Sequence, residues 1–218
     1  MTPEREQRFR RTIAQRQSDL TVVLEEVADP HNIMAILRSC DAVGIKEVYA
    51  IRPLRRESRK KDVASDFFGK RSSAGARKWV DLNIYEDTHA CVDEVRSKYG
   101  SLWATYLGGA SQNLYDMDLT QPMALVFGNE RKGISPELVE LCDGNFRIPM
   151  VGMIRSLNIS VACATAVYEA YRQRRAAGTL TDSALSEAEQ HELYQRWHDR
   201  DQERFQLRKE RRREFRGR

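Results

Sequence analysis

Two glycine-containing segments follow predicted strands in the second half of the chain and have the composition of ligand-binding turns. Residues 128–135 read GNERKGIS and carry one acid, Glu130. Residues 148–160 read IPMVGMIRSLNIS and lead into a helix of small side chains. Glycine allows a backbone to turn tightly and to approach a ligand closely. Because ligands of open α/β sheets bind at the carboxyl ends of strands, the two segments predict a small-molecule site.

The first of these segments does not match the common nucleotide-binding loops. A Walker loop requires Gly-Lys-Ser or Gly-Lys-Thr in succession, whereas Lys132 precedes Gly133 and Ile134 follows it. No GxGxxG sequence follows a predicted strand, which disfavours a dinucleotide site of the Rossmann type. The glycine turns therefore indicate a small-molecule site of another kind.

Asn32 and Arg38 add polar side chains from a third segment. Asp29 and Pro30 predict the start of a helix, because aspartate caps helices and proline fits the first turn. The apolar stripe of this helix consists of Ile33, Ile36, Leu37 and Cys40. Arg38 lies roughly opposite that stripe and is predicted to project outward. Alone these would be an ordinary surface arginine and cap-region asparagine, but beside the two glycine turns they become candidate site residues.

Strands and helices alternate along the chain and must position these residues. Strands are predicted at 20–24, 47–51, 79–85, 102–106, 123–127 and 145–148. Helices are predicted at 3–17, 29–44, 86–99, 136–141 and 158–175, followed by a last helix in the C-terminal segment. This alternation predicts an α/β fold with a mainly parallel sheet and helices on both faces. The long basic segment at 52–78 is interpreted as a functional loop.

The two ends of the chain are basic and its middle is mildly acidic. The net charge is +4. Residues 1–17 hold five arginines against two glutamates, and residues 196–218 hold ten basic residues against five acids, so that the segment between them carries −4. This distribution is expected when extensions hold a polyanion for a neutral catalytic body.

Arginines recur every four residues in the C-terminal segment, at positions 196, 200, 204, 208, 212 and 216. On a helix they form one ridge. Such a ridge either binds phosphates or is a solvated face in which nearby acids pair with the arginines. The sequence leaves both interpretations open.

The cysteines and the hydropathy of the chain exclude several classes of protein. Cys40, Cys91, Cys142 and Cys163 are far apart, and no CxxC or Cys/His cluster offers a metal site. No apolar run reaches the length of a membrane span, and the charged N-terminus is unlike a signal peptide. We therefore expect a cytoplasmic protein with reduced thiols, no metal and no membrane partner.

Three separated segments together resemble the motifs of a known family, the SpoU branch of the SPOUT RNA methyltransferases. Within that branch the chain most resembles the TrmH-like tRNA guanosine 2′-O-methyltransferases, over about residues 5–176. The segments that carry the resemblance, in order, are Asn32 with Arg38, residues 127–130 with Gly133, and residues 148–150 with 156–160.

The resemblance implies a SPOUT-type fold, in which a parallel sheet flanked by helices ends in a C-terminal deep trefoil knot. The implied catalytic domain spans residues 19–178, with the knot at about 123–176. Basic helical extensions would occupy residues 1–18 and 179–218. Members of the family are homodimers, and a second copy would pack on the helix of small side chains.

The reaction implied by the resemblance is 2′-O-methylation of a guanosine ribose in tRNA by S-adenosylmethionine, most expected at guanosine-18 of the D-loop. The implied catalytic residues are Asn32, Arg38, Glu130, Ser156 and Asn158. The implied cofactor pocket consists of Thr105, Leu107, Gly128, Ile148, Met150 and Leu157, largely through backbone groups. The implied tRNA-binding surface consists of Arg8, Arg11, Arg172 and Arg174 with the basic loop at 55–71.

Two other functions remain as alternatives. A non-catalytic RNA-binding module of the same fold is disfavoured because all five implied catalytic residues are present. A 2′-O-methyltransferase of ribosomal RNA usually carries an additional N-terminal RNA-binding domain, and the roughly 20 residues before the first predicted strand leave no room for one.

Overall fold

The chain divides into two compact units, Gln17–Leu180 and Met1–Arg16 with Thr181–Arg218. The computed structural model describes residues 2–52, 78–108, 111–180 and 184–216, without the side chains of residue 204 and residues 207–216. The predicted basic loop at 55–71 therefore lies outside the described residues, as do the side chains of the arginine ridge from residue 204 onward.

A seven-stranded sheet forms the centre of the larger unit. The strands are β1 (Leu20–Glu25), β2 (Glu47–Ile51), β3 (Asp81–Tyr85), β4 (Ser101–Thr105), β5 (Gln112–Asn113), β6 (Met123–Phe127) and β7 (Gly144–Arg147). They lie in the order β3-β2-β1-β6-β4-β7-β5, and the pairings between them are parallel. The predicted α/β fold with a parallel sheet is confirmed.

Helices cover both faces of this sheet. The described helices are α1 (Pro3–Ala14), α2 (Pro30–Ala42), α3 (Thr88–Tyr99), α4 (Pro136–Glu140), α5 (Ile159–Ala176) and α6 (Glu187–Arg216). On one face Val22 and Leu24 of β1 belong to the same buried cluster as residues of α2 and α5. Val23, which points to the opposite face, belongs to a second cluster with α3 and α4. Burial on both faces explains why β1 is an almost continuous apolar run.

The predicted helix boundaries follow from capping residues. Asp29 caps α2, since its carboxylate accepts from the backbone N–H of His31 at 2.8 Å. Asp87 caps α3 in the same way through Ala90 at 2.7 Å, so this helix begins at Thr88 and not at the predicted residue 86. Strand β3 begins at Asp81, two residues later than predicted, and the two-residue strand β5 was not predicted.

Helices α1 and α6 pack together in the smaller unit. Phe9 and Ile13, one turn apart on α1, are both buried. The ring of Phe9 lies edge-on to Trp197 of α6, with 5.8 Å between their centroids. Helix α1 ends at Ala14, before the predicted residue 17, and the guanidinium of Arg16 lies 4.9 Å from the centre of the Trp197 ring.

The carboxyl ends of the parallel strands meet at one edge of the sheet. The neighbouring strands β1 and β6 end at Glu25 and Phe127, and the next two strands in the sheet, β4 and β7, end at Thr105 and Arg147. Both glycine segments singled out in the sequence begin at this edge. The topology therefore brings the predicted site residues to one side of the larger unit.

Candidate active site

Three of the predicted site residues, from distant parts of the chain, form a hydrogen-bonded cluster. The side-chain amide of Asn32 donates to Glu130 Oε1 at 2.8 Å. The amide of Asn158 donates to Asn32 Oδ1 at 3.1 Å. The cluster thus joins the first turn of α2, the turn after β6 and the start of α5.

Asn158 also begins helix α5. Its Oδ1 accepts from the backbone N–H of Ser160 at 2.9 Å and from the Ser160 hydroxyl at 2.6 Å. Asn158 is therefore the residue that caps this helix. Because the same side chain also contacts Asn32, the position of α5 is tied to that of α2.

The turn after β6 is held by its own hydrogen bonds. Asn129 and Gly133 exchange two backbone hydrogen bonds of 2.9 and 2.8 Å. The Asn129 side chain accepts from the N–H groups of Arg131 and Lys132 and donates to the carbonyl of Glu26 at 2.8 Å. Gly133 has a φ of +72°, which favours glycine. The turn therefore presents Glu130 from a closed and anchored backbone.

Gly128 allows this turn to close. A Cβ atom at that position would lie 2.4 Å from the carbonyl carbon and oxygen of Gly133 and from the backbone nitrogen of Ile134. Backbone atoms cannot move aside as a flexible side chain can. The glycine is therefore required by contacts within the turn itself.

A second anchor of the turn, Glu25, was missed by the sequence reasoning. Its carboxylate, only 6% exposed, accepts from the Ser135 N–H at 2.7 Å and from the Ser135 hydroxyl at 2.5 Å. The Ser135 hydroxyl in turn accepts from Leu138 N–H at 3.2 Å, which caps α4. The available signal was an acid at the end of the otherwise apolar strand 20–25, where an unpaired charge is costly.

The side chains of Arg38 and Ser156 take no part in the cluster, although each residue is close in sequence to one of its members. Arg38 is exposed on α2, as predicted from its position opposite the apolar stripe. Ser156 is exposed in the segment before α5. Within the described part of the chain neither side chain has a hydrogen-bond partner, so both are available to a bound molecule.

The residues predicted to line a cofactor pocket come from the same edge of the sheet. Thr105 ends β4, and its hydroxyl donates to the Val126 carbonyl at 2.9 Å. Gly128 follows β6, and Ile148 follows β7 and is half-buried. Leu107, Met150 and Leu157 expose 73%, 37% and 39% of their surface. Exposed apolar side chains are typical of surfaces that bind a partner or a ligand when they lie together.

Gly152, in the segment after β7, differs from Gly128 and Gly133 in the turn after β6. Gly152 does not adopt a left-handed conformation, and a Cβ there would meet no atom within 4 Å. Its neighbours Val151, Met153 and Ile154 are also largely exposed. Nothing within the described chain requires glycine at this position, which leaves open space beside its backbone.

The four predicted RNA-binding arginines fall into two groups. Arg8 and Arg11 are exposed on α1, and Arg172 is exposed on α5. Arg172 also donates to Glu169 through two hydrogen bonds of 2.9 and 2.7 Å, and these bonds lower the pKa of the Glu169 carboxyl. All three side chains can reach solvent.

The prediction that Arg174 binds RNA is wrong. Arg174 is 1% exposed, and its guanidinium donates to the carbonyls of Leu119 and Gln121 at 2.8 and 2.6 Å. The same group pairs with Asp19 and donates to Gln17 Oε1 at 3.1 Å. A guanidinium whose donors are used inside the protein cannot contact a phosphate, so this arginine has a structural role.

Two of the four thiols are held in their unreactive form by burial. Burial raises the pKa of both Cys91 and Cys142 to about 12, so neither thiol is an activated nucleophile. The residues that the structure describes contain no group of three His, Cys, Asp or Glu side chains that could hold a metal ion. In the same described ranges, no helix is both long and apolar enough to cross a membrane.

Comparison with known proteins identifies the family. The model of the SpoU rRNA methylase family matches residues 19–168. A tRNA (guanosine(18)-2′-O)-methyltransferase of Thermus thermophilus is 39% identical over 195 residues, which cover 89% of this chain and 94% of that protein. The crystal structure of the A. aeolicus TrmH/SpoU tRNA modifying enzyme superposes with a TM-score of 0.77 at 36% identity, covering 91% of this chain and 96% of that one.

A further solved structure resembles most of this chain. The SpoU methyltransferase AviRb from Streptomyces viridochromogenes, in complex with the cofactor AdoMet, has a TM-score of 0.59 at 29% identity and covers 73% of this chain and 59% of that one. The family match extends over more than half of the chain and includes all three members of the Asn32, Glu130 and Asn158 cluster. This chain belongs to the SpoU methylase family.

Proposed function

We propose that this protein transfers a methyl group from S-adenosylmethionine to the 2′-hydroxyl of a guanosine ribose in tRNA, at guanosine-18 of the D-loop. The observation that carries the proposal is the hydrogen-bonded cluster of Asn32, Glu130 and Asn158, which joins the three motif segments at the carboxyl ends of the strands. The identity to the tRNA methyltransferase of Thermus thermophilus extends over nearly the whole of that relative and supports tRNA as the substrate.

The residues at the strand edge fit S-adenosylmethionine. Leu107, Met150 and Leu157 expose apolar surface that a purine and a methionine side chain can cover. Thr105 uses its hydroxyl within the protein, so backbone groups of these loops supply the polar contacts. The open space at Gly152 permits close approach to the backbone. Bound there, the cofactor supplies an electrophilic methyl group on a sulfonium.

Arg38 acts on the ribose hydroxyl as a cation. A guanidinium stays protonated and cannot accept the proton of the hydroxyl. Its five donors instead stabilise the developing alkoxide and bind the adjacent phosphate, while water or the RNA accepts the proton. Asn32, Glu130 and Asn158 hold the three motif segments in register, and Ser156 is presented to the target nucleotide.

Substitutions of Arg38 test this role. Arg38→Lys keeps a positive charge and is expected to retain more activity than Arg38→Ala, whose rate should fall about 100-fold or more. The pH–rate profile of Arg38→Lys should keep the shape of the wild-type profile, because neither residue acts as the base. Comparable rates in the two variants would exclude a role for the cation.

The exposed face of α5 is assigned to a second copy of the chain. Val161 and Tyr168 are about half exposed and lie on the same side of the helix, two turns apart. Together with the exposed segment 150–154 they offer apolar surface of the kind found in homodimers. The family resemblance further supports a deep trefoil knot over about residues 123–176.

The ends of the chain are assigned to tRNA. In this proposal residues 19–178 form the catalytic domain, and the basic segments 1–18 and 179–218 are RNA-binding extensions in a metal-free, cytoplasmic enzyme. Arg8 and Arg11 are exposed and Arg172 lies on the catalytic domain, so these three remain the proposed phosphate contacts. Arg174 is removed from the set because it is buried.

Mapping of the methylated nucleotide tests the proposed function. The protein is incubated with tritiated S-adenosylmethionine and either total tRNA or ribosomal RNA, and the labelled nucleotide is identified. We expect label on the ribose of guanosine-18 in the D-loop of tRNA. The Asn32→Ala variant should lose most of this label. Label in ribosomal RNA alone, or on a base, would overturn the proposal.

A further inference from the structure

A cavity of about 390 Å³ opens at the carboxyl ends of β1 and β2. Its volume lies within the range of about 300–1,000 Å³ usual for small-molecule sites. Apolar side chains of Val27, Ile33 and Ile51 line it. The charged residues of the lining are Glu26, Arg52, Arg131 and Lys132. Asn129, Arg131 and Lys132 belong to the glycine segment 128–135, but no lining residue was among the individual catalytic, cofactor-binding or RNA-binding residues predicted from the sequence.

Glu26 is the one non-glycine residue with a positive φ, 48°, among the residues described. Its N–H donates to the Ile51 carbonyl at 3.0 Å, and its carbonyl accepts from Asn129 at 2.8 Å. The backbone is thus held in a disfavoured conformation from both sides. Strained residues of this kind are concentrated at functional sites. The Glu26 carboxylate has no hydrogen-bond donor within the described ranges.

The cavity has the chemistry to bind a nucleotide with a guanine base. The Watson–Crick edge of guanine presents two adjacent donors, N1–H and the exocyclic amine, which match the two oxygens of a carboxylate. Adenine presents an acceptor at N1 and would be repelled. Apolar side chains suit the faces of the ring, and the exposed cations Arg131 and Lys132 suit a phosphate.

The position of the cavity relates it to the proposed catalytic residues. Ile33 follows Asn32 directly, and Glu130 lies between Asn129 and Arg131, which both line the cavity. The cavity is therefore lined by the sequence neighbours of Asn32 and Glu130, which are hydrogen-bonded to each other and which the proposed function assigns to the target nucleotide.

We infer that this cavity receives the guanine base of the nucleotide to be methylated, and that Glu26 is the residue that selects it. The inference rests on the proposed methylation of a guanosine ribose. Glu26 accepts hydrogen bonds from N1–H and from the exocyclic amine, and Arg131 with Lys132 hold an adjoining phosphate.

Replacement of a single group on the target base tests this inference. tRNA transcripts carry guanosine, inosine or adenosine at the target position, inosine lacking the exocyclic amine. For the wild type we expect kcat/KM to fall about 10- to 100-fold from guanosine to inosine, and further with adenosine, because a hydrogen bond to a charged group is lost.

Glu26→Gly separates selection from folding. Glycine tolerates the positive φ, so this variant should unfold at a temperature no lower than that of the wild type. We expect it to be less active on guanosine and to distinguish inosine from guanosine less than threefold. The matched control is Glu140→Ala, which removes an exposed acid at the end of α4 and should keep the wild-type discrimination.

The outcomes separate this inference from the proposed function. Equal rates of the wild type on guanosine and inosine, or unchanged discrimination in Glu26→Gly, would overturn the role of Glu26 while methylation itself persists. If no tRNA is methylated, the proposed function fails. The affinities of the three transcripts, fluorescently labelled and measured by anisotropy without methyl donor, then test the guanine site by itself. Equal affinities for the three transcripts would exclude the cavity as a site for the target guanine. If free guanosine 5′-monophosphate competes although the three transcripts bind equally, the cavity is a site for a free nucleotide instead.

Discussion

The two glycine turns of the site are built in opposite ways. In the turn after β6, Gly128 is required by a backbone contact, Asn129 closes the turn, and Glu25 anchors its end. In the segment after β7, Gly152 has open space around it, and its neighbours Val151 and Met153 are fully exposed. The first turn is shaped by the fold, whereas the second offers a surface that a cofactor or a second copy of the chain can complete.

Gly128→Ala should have the largest effect on stability. The added Cβ atom would lie 2.4 Å from backbone atoms of Gly133, so the turn must open. We expect the free energy of unfolding to fall by about 3 kcal/mol, as for a severe overpacking substitution. Urea denaturation measures the change. A variant as stable as the wild type would show that the first turn is not tightly held.

Glu25→Ala should have the second-largest effect on stability. The substitution leaves the Ser135 N–H without its acceptor at 2.7 Å, and burial of an unpaired donor costs about 2 kcal/mol. Hydrogen exchange at the Ser135 amide should accelerate along with the loss of stability. Ser135→Ala removes the hydroxyl partner of Glu25 and the cap of α4 but keeps the backbone N–H bond to Glu25, and it is expected to cost about 1 kcal/mol. The surface variant Glu140→Ala is the control and should stay within about 0.5 kcal/mol of the wild type.

Asn158→Ala and Asn158→Asp test the link between the two turns. Alanine removes the helix cap at the start of α5 and should cost about 1 kcal/mol. Aspartate keeps the capping oxygen but loses the amide that donates to Asn32, so its stability should be near that of the wild type. We nevertheless expect methyl transfer by the aspartate variant to fall about 100-fold, as for a misplaced site. Full activity of that variant would show that the second turn is positioned without this link.

Gly152→Ala should have the smallest effect on stability. No atom lies within 4 Å of the added methyl group, so the free energy of unfolding should change by less than about 0.5 kcal/mol. The affinity for S-adenosylmethionine, measured by titration calorimetry, should nevertheless fall, because the methyl group occupies space left for the cofactor. A loss of stability as large as that of Gly128→Ala would remove the contrast between the turns.

The sequence predicts the elements of this fold better than the partners of its polar side chains. Apolar runs and capping residues such as Asp29 placed the strands and most helices within a few residues. The short strand β5 was missed because two residues carry no periodic signal. The order of the strands was not predicted, since it depends on contacts between distant segments.

Polar residues show the same limit more sharply. Arg172 and Arg174 stand two residues apart in a basic helix end, yet one is exposed and the other is 1% exposed and surrounded by carbonyls. In the sequence Glu25 directly follows the predicted strand 20–24, and Glu26 is the polar residue after it. Nothing in the local pattern predicts which groups either side chain contacts. The groups that hold such side chains come from distant segments, and many of them are backbone carbonyls and amides, whose positions no local pattern encodes.

Arg174 gives helix α5 a second fixed point, far from the first. Asn158 holds the start of the helix at the carboxyl ends of the strands, and Arg174 fastens its end to segments that precede β1 and β6, at the opposite edge of the sheet. The two residues are about 24 Å apart along the helix axis. A random-mutagenesis screen for lost activity should therefore recover substitutions at Arg174 and Asp19 as well as those at the site itself, although Arg174 is buried.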